Sequence, residues 1–158
     1  MNLSERFWSK VDKTDTCWLW TGSLSAQGYG RIQRGSRDEG VVLAHRLAWE
    51  WVNGPIPDGM QLDHLCYVHA CVRPDHMQLA THGQNQENRD GATRVSKTGR
   101  RGVFLAPARS NFRYYTRVGH NGAIYSAGFH DDLEVATEAV RALRNLLHTN
   151  NLRDREAT

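Results

Sequence analysis

The most informative segment of the sequence is DHLCYVHACVRPDH, residues 63–76. Its fourteen residues include three histidines, two cysteines and two aspartates, side chains that bind metal ions or transfer protons. One metal site, one catalytic site, or two sites interleaved on the same loop would each explain this density. The spacing of these residues, and what the rest of the chain supplies, distinguish between the three.

A structural zinc accounts for the cysteines. Cys66 and Cys71 are five residues apart, and His76 follows Cys71 by five. Tetrahedral zinc takes four ligands of this kind, and a remote residue can complete a set of three. The only other cysteine, Cys17, precedes the apolar run WLW. We therefore predict Zn²⁺ on Cys17, Cys66, Cys71 and His76; the alternative is that the three cysteines are buried apolar residues.

The residues flanking this stretch predict a second site beside the zinc. QLDHL and MQLA are expected to be antiparallel strands, followed by a polar helix beginning near Thr81. Asp63, His64 and Asn85 would then offer a carboxylate, an imidazole and an amide oxygen. Such a set can hold a hard divalent ion beside a general base. A DH pair is common, however, and the alternative for His64 is an ordinary surface histidine.

The segment from His45 through Arg89 resembles the HNH nucleases of the ββα-metal superfamily. The resemblance is carried by AHRLAWEWVNGPIPDGMQLDHLC and PDHMQLATHGQNQENR. The intervals from His64 to His76 and from His76 to Asn85, twelve and nine residues, match the HNH order. The cysteines and His76 are similar to the zinc loop of the related His-Cys box homing endonucleases, in which a remote upstream cysteine completes the site.

This resemblance implies a metal-dependent endonuclease, phage-borne or homing, that hydrolyses double-stranded DNA to 5′-phosphate and 3′-hydroxyl ends. It implies His64 as the general base and Asp63 and Asn85 as ligands of one Mg²⁺ or Mn²⁺. Arg46 would add positive charge at the scissile phosphate, or is a plain surface arginine. The alternative function is a non-catalytic zinc-containing DNA-binding protein. The joint presence of Asp63, His64 and Asn85 favours the enzyme.

Charge is distributed unevenly along the chain. Residues 1–90 carry 9 Lys and Arg against 11 Asp and Glu, whereas residues 91–158 carry 11 against 6. Residues 91–130 contain seven basic residues and no acidic one. Such a stretch is a plausible footprint for a polyanion, with a solvated basic face as the alternative.

The same shift in composition predicts the domain organisation. We expect a nuclease domain over 1–95, a DNA-binding domain over 96–150 and a loose tail over 151–158. In the second domain, GVFLA, FRYYTRV and AIYSAGF are predicted strands, followed by the amphipathic helix of DDLEVATEAVRALRNLLH. The expected fold is α+β: a zinc-stapled ββα-metal nuclease, then a small three-stranded antiparallel sheet packed on one helix.

The second domain resembles the APETALA/ethylene-response DNA-binding domain, which has the same rhythm of three strands and a helix. Arginines interleaved with aromatic residues on a sheet suit contacts to phosphates and guanine edges. A sheet that only braces the nuclease is the alternative. The candidate DNA-binding residues are Arg100, Arg101, Arg113, Tyr115 and Arg117.

Other features of the sequence exclude broad classes of protein. No apolar run reaches eighteen residues and no charged-then-apolar leader is present, so neither a membrane span nor a secretory signal is expected. Three cysteines are an odd number, which argues against a secreted disulfide framework. We expect a cytoplasmic monomer or homodimer, in the host cytoplasm if a phage encodes it.

Overall fold

The computed structural model describes residues 1–89 and 91–156. The chain divides into two units, Met1–His82 and Gly83–Thr158. Both combine helices with short antiparallel strands, so the fold is a mixture of α and β structure, as expected. Among the described residues, no helix is both long enough and apolar enough to cross a membrane.

The first unit contains three antiparallel strand pairs, two α-helices and two short 3-10 helices, Arg37–Glu39 and Pro74–His76. The pairs are β1 with β2, β3 with β4, and β5 with β6. The elements are α1 (Leu3–Trp8), β1 (Val11–Lys13), β2 (Trp18–Trp20), β3 (Arg31–Gln33), β4 (Val41–Leu43), α2 (Ala44–Asn53), β5 (Met60–His64) and β6 (Met77–Thr81).

The core of the first unit is small and aromatic. The Phe7 ring lies 5.1 Å from the ring of Trp20 and 4.9 Å from that of Trp51. Gly30 approaches Trp20 so closely that a Cβ at this position would come within 2.7 Å of the indole. Any side chain at Gly30 would therefore displace the central aromatic residue. The buried cluster consists of Phe7, Trp20, Ile32, Ala44, Leu47, Ala48 and Val72.

The hairpin that carries the motif residues forms as predicted. Strands β5 and β6 pair from Met60 opposite Thr81 to His64 opposite Met77. The segment 65–76 connects them without a strand of its own, apart from an isolated bridge between Cys71 and Leu19. Few apolar side chains support this segment, and of its residues only Val72 belongs to the buried core cluster.

The second unit is a three-stranded sheet with a helix against it and a separate hairpin. Its sheet has the order β11-β8-β7, while β9 and β10 pair with each other, so the predicted strand AIYSAGF is divided between two elements. The elements are α3 (His82–Glu87), which starts on the last residue of the first unit, β7 (Val103–Leu105), β8 (Tyr114–Thr116), β9 (Val118–His120), β10 (Ala123–Tyr125), β11 (Phe129–His130), α4 (Leu133–Leu147) and α5 (Leu152–Glu156).

Helix α4 has a side-chain cap at its N-terminus and the predicted apolar stripe. The Asp132 carboxylate accepts hydrogen bonds from the backbone N–H groups of Glu134 and Val135. Such a cap satisfies donors that have no partner within the helix. The buried cluster under α4 is Val103, Val118, Ala136 and Val140, with Tyr114, Leu133, Leu143 and Leu147 packed against it.

Two regions differ from the predicted domain organisation. Residues 83–95, expected in the nuclease domain, belong to the second unit. Residues 152–156, expected to be a loose tail, form α5. The cause of the second difference is an ion pair, since the Arg144 guanidinium, whose side chain is 6% exposed, donates to Asp154 at 2.5 and 3.0 Å. A buried guanidinium needs such a partner, and the partner orders the segment.

Candidate functional site

The three cysteines and His76 meet in one cluster in the first unit. Their ligand atoms all lie within 4.8 Å of one another, so the cluster can hold a metal ion. The Nδ1 atom of His76 lies 3.6 Å from the Cys17 sulfur and 3.7 Å from the Cys71 sulfur. All four residues are those predicted from the spacing. Their chemistry, three thiols and one imidazole, is that of structural zinc sites.

Backbone pairing brings the remote Cys17 to this cluster. Cys17 immediately precedes β2, and the loop runs along that strand. The N–H of Trp20 donates to the Ala70 carbonyl at 2.9 Å, and the N–H of Val72 donates to the Trp18 carbonyl at 2.8 Å. Cys71 lies between the two hydrogen bonds, which fix its position along the strand.

The environment of the thiols favours their neutral form when no cation is bound. Burial raises the pKa of the Cys66 thiol to about 12, and the neighbouring thiols Cys71 and Cys17 contribute to the rise. Burial and Cys71 likewise raise the pKa of Cys17. All three are free thiols. Three clustered sulfurs become thiolates together only when a positive charge compensates them, which a metal ion does.

The same loop orients His64. The Nε2 atom of His64 lies 3.0 Å from the Cys71 carbonyl oxygen. A carbonyl only accepts hydrogen bonds, so Nε2 carries the proton and Nδ1 is the basic nitrogen of the neutral ring. Burial lowers the pKa of His64, an effect that the Cys71 carbonyl partly offsets. The ring is therefore neutral at pH 7 and able to take up a proton at Nδ1.

Three further rings surround His64. The centre of the His45 ring lies 5.0 Å from that of His64, and the centre of the Tyr29 ring lies 5.9 Å from it. His69 stacks on Tyr29 at 4.4 Å. Burial, together with His64 and Arg46, lowers the pKa of His45 to about 3, so His45 remains neutral. Neither Tyr29 nor His69 could be assigned a role from the sequence, because no spacing rule connects either residue to β5.

The predicted oxygen ligands and Arg46 have different surroundings. Asp63 is buried and accepts a hydrogen bond from the Gln78 amide at 3.2 Å, across the hairpin. Asn85 lies on α3, in the second unit. Arg46 lines a cavity of about 270 Å³ next to Arg34 and Glu50. None of these three residues belongs to the Cys/His cluster.

The predicted DNA-binding residues divide into two groups. Arg113 and Arg117 are exposed, and the Arg117 guanidinium lies 4.9 Å above the Tyr115 ring. Arg100, by contrast, donates to Glu134 at 2.7 Å, and Arg101 donates to the carbonyls of α3 and the residues after it. Arg100 nevertheless remains exposed at the surface in its ion pair, whereas Arg101 is half-buried and its guanidinium is engaged within the protein.

A row of aromatic side chains that no sequence pattern indicated lies beside Tyr115. Phe104 and Phe129 are the cross-strand neighbours of Tyr115, on β7 and β11. The ring of Phe104 stacks on that of Tyr115 at 5.2 Å, and the ring of Phe112 lies 5.9 Å from that of Phe129. Phe104 and Phe129 are 43% and 51% exposed, which is unusual for phenylalanine.

Comparison with known protein families identifies the segment that contains His64. Residues 42–87 match the family model described as HNH endonuclease. The segment includes α2, the hairpin β5–β6 and α3, and with them His64, Asp63 and Asn85. Residues 42–87 are therefore of HNH type.

Two phage proteins are similar to parts of the chain. Protein 7.7 of Escherichia phage T7 is 32% identical over 74 residues, 47% of this chain and 55% of that protein. The uncharacterized gene 5.3 protein of Enterobacteria phage T3 is 41% identical over 54 residues, 32% of this chain and 54% of that protein. The chain thus spans about half the length of these relatives. No solved structure matches it.

The hydrogen bonds of His64 and His69 predict opposite tautomers in one protein. His64 should carry its proton on Nε2, because that atom faces the Cys71 carbonyl. His69 should carry its proton on Nδ1, which lies 2.7 Å from the Gln27 carbonyl. Long-range ¹H–¹⁵N spectra of labelled protein at mildly alkaline pH distinguish the two forms. An Nδ1–H signal pattern for His64 would contradict the assignment of its basic nitrogen.

Proposed function

We propose that the protein is a metal-dependent endonuclease that hydrolyses phosphodiester bonds of double-stranded DNA. The observation that carries the proposal is the orientation of His64. Within a segment of HNH type, its Nε2 is held by a backbone carbonyl at 3.0 Å, which leaves Nδ1 as the base. A ring fixed in one tautomer by a backbone acceptor is poised to remove a proton from water.

In the proposed reaction, His64 Nδ1 takes a proton from a water molecule whose oxygen attacks the phosphorus. The bond between phosphorus and the 3′ oxygen breaks, which gives a 5′-phosphate and, after protonation of the leaving oxygen, a 3′-hydroxyl. His45 lies beside His64 and is neutral, because its pKa is lowered to about 3. It therefore places no positive charge next to the proposed base. Proton transfer by a positioned base of this kind contributes a factor of about 10²–10⁴.

Asp63 and Asn85 are the proposed ligands of Mg²⁺ or Mn²⁺, since their oxygens are of the hard type that these ions prefer. When bound, the ion would stabilise the negative charge that develops on the phosphate and the leaving oxygen. Arg46 is proposed to add positive charge at the same phosphate. Its guanidinium is partly exposed in α2, directly after His45 in sequence.

The Cys/His cluster is proposed to hold a structural Zn²⁺. With all four positions taken by protein, the ion would have no site for substrate. Its role would be to hold segment 65–76 in shape, and with it the Cys71 carbonyl that orients His64. In this proposal, the orientation of the base depends on the bound zinc.

The sheet of the second unit is proposed as the DNA-contacting surface. Arg113, Tyr115 and Arg117 alternate along β8 and its ends, so they lie on the same side of the sheet. Phe104 and Phe129 flank Tyr115 on that side, next to the arginines. Exposed guanidinium groups suit phosphates, and aromatic faces suit sugars and thymine methyl groups.

The first prediction tests the base. His64→Ala should lower kcat on supercoiled plasmid with Mg²⁺ by about 10² or more, because the positioned base is lost. DNA affinity should change little. His130→Ala is the matched control; His130 lies on β11 and should leave kcat at saturating DNA unchanged. Cleavage by His64→Ala at the wild-type rate would remove His64 from the mechanism, and absence of cleavage by the wild type would favour a DNA-binding protein.

The second prediction tests the zinc. Cys71→Ser keeps the backbone carbonyl that contacts His64 but removes a sulfur that is 0% exposed. Zinc content should fall by one ion per chain. The free energy of unfolding, measured by urea denaturation, should fall by roughly 3 kcal/mol or more, since a structural zinc supplies much of the stability of a small domain. Chelated wild type should show the same loss, and full stability without zinc would rule out a structural metal here.

The third prediction tests the DNA surface. Arg117→Ala should reduce the slope of log K against log salt by about 0.9, the value expected for one lost phosphate contact. Arg141→Ala is the control, because Arg141 lies on α4 and is ion-paired with Glu138. Binding is measured by fluorescence anisotropy of a labelled duplex over a range of salt concentrations. Equal slopes for the two variants would contradict a role of this face in phosphate contact.

A further inference from the structure

Three metal-binding side chains that have no part in the proposed reaction meet in the second unit. They are Glu87 at the end of α3, His120 at the end of β9, and His148 directly after α4. Their ligand atoms all lie within 4.8 Å of one another. All three side chains are largely removed from solvent, with Glu87 13% and His120 18% exposed and His148 buried.

The surroundings of His148 are those of a metal-binding histidine. Its Nε2 lies 3.1 Å from the Gly119 carbonyl, so Nε2 carries the proton and Nδ1 carries the lone pair. This Nδ1 is buried, and among the described residues it has no hydrogen-bond partner. Histidines that bind metals generally donate their other N–H to a carbonyl or carboxylate in this way. A buried acceptor without a partner lowers the stability of the fold, and a bound metal ion would remove this cost.

Glu87 and His120 form the other half of the cluster. The Nδ1 atom of His120 lies 3.0 Å from one Glu87 oxygen, to which its N–H donates a hydrogen bond. The second Glu87 oxygen accepts from the backbone N–H groups of Thr149 and Asn150 at 3.0 and 3.3 Å. These bonds fix the direction of the carboxylate. A divalent ion can take the place of the Nδ1 proton of His120, which passes to Nε2 or to solvent, and leave the two backbone hydrogen bonds to Glu87 intact.

We propose that Glu87, His120 and His148 form a second metal site, for a divalent ion of the zinc class. In a tetrahedral zinc site with bonds of about 2.1 Å, the ligand atoms lie roughly 3.4 Å apart, so only small side-chain shifts are needed. Two imidazole nitrogens favour zinc over Mg²⁺. This ion is therefore distinct in kind from the ion proposed for catalysis.

The proposed site has three protein ligands and one open position. His120 and His148 line a cavity of about 610 Å³ that Arg101 and Arg117 also line, so solvent can supply the fourth ligand. The ion would join α3 to β9 and to the end of α4. Because α3 is a helix of six residues with none buried, such a bond would add substantially to its attachment.

Zinc counting on the full chain tests the site. Protein is titrated with Zn²⁺ against a chromogenic chelator, in an excess of Mg²⁺ and without DNA. Wild type should bind one zinc beyond the ion of the Cys/His cluster. His148→Gln and His120→Gln should weaken this additional zinc by at least about 10²-fold, since losing even a residue that supports a ligand costs 10–100-fold. His130→Gln, a histidine of the same unit outside the cluster, should bind as wild type does.

Cobalt distinguishes the two sites and keeps the test independent of nuclease activity. Co²⁺ at the Cys/His cluster should give an intense thiolate charge-transfer band, which Co²⁺ bound by Glu87, His120 and His148 lacks. Cys71→Ser should lose the band and keep the additional site, whereas the two histidine variants should keep the band. Near-UV circular dichroism of the two histidine variants, compared with that of His130→Gln, shows that the second unit is folded. The proposal is overturned if wild type takes up no additional ion or if His148→Gln retains it.

Discussion

The candidate active site depends on one residue, Cys71, which serves both of its parts. The Cys71 sulfur belongs to the four-residue metal cluster, and the Cys71 carbonyl accepts the hydrogen bond that sets the tautomer of His64. The position of the carbonyl is in turn fixed by the bonds on either side that attach the loop to β2. The orientation of the His64 ring therefore depends on the conformation of the loop 65–76. A loop with so little apolar support needs a cross-link to keep that shape.

The sequence was most informative where chemistry leaves few choices. Three cysteines and one suitably spaced histidine leave one four-ligand set, and the structure brings those residues together. The hairpin β5–β6 was predictable because QLDHL and MQLA have the composition of strands and flank a turn-rich loop. The stripe on α4 was predictable from its period. The resemblance to HNH nucleases agrees with the family match over residues 42–87.

Outside the Cys/His cluster, the contacts that surround the site between residues distant in sequence were not predictable. Tyr29 and His45 surround His64 only because β3, β4 and α2 fold against one another, and no local pattern encodes that proximity. The exposed aromatic row on β7, β8 and β11 was not predictable for a related reason. The alternation of side chains along a strand shows which residues share a face of the sheet, but not which face is covered. For the same reason Arg101 appeared to be a DNA contact, although its guanidinium binds backbone carbonyls.

The second unit does more than supply a surface, because it contains and holds most of α3. Arg101 donates to the Gln86, Glu87 and Arg89 carbonyls, and the Asn150 amide donates to the Gln84 carbonyl. Asn85, the proposed magnesium ligand, lies within this set of contacts along the helix. A chain that ended at residue 95 would keep Asn85 but lose every one of these donors. Helix α3, which carries the proposed ligand Asn85, is thus held by residues beyond the predicted domain boundary at residue 95. A boundary drawn from the charge distribution therefore separates α3 from the residues that hold it.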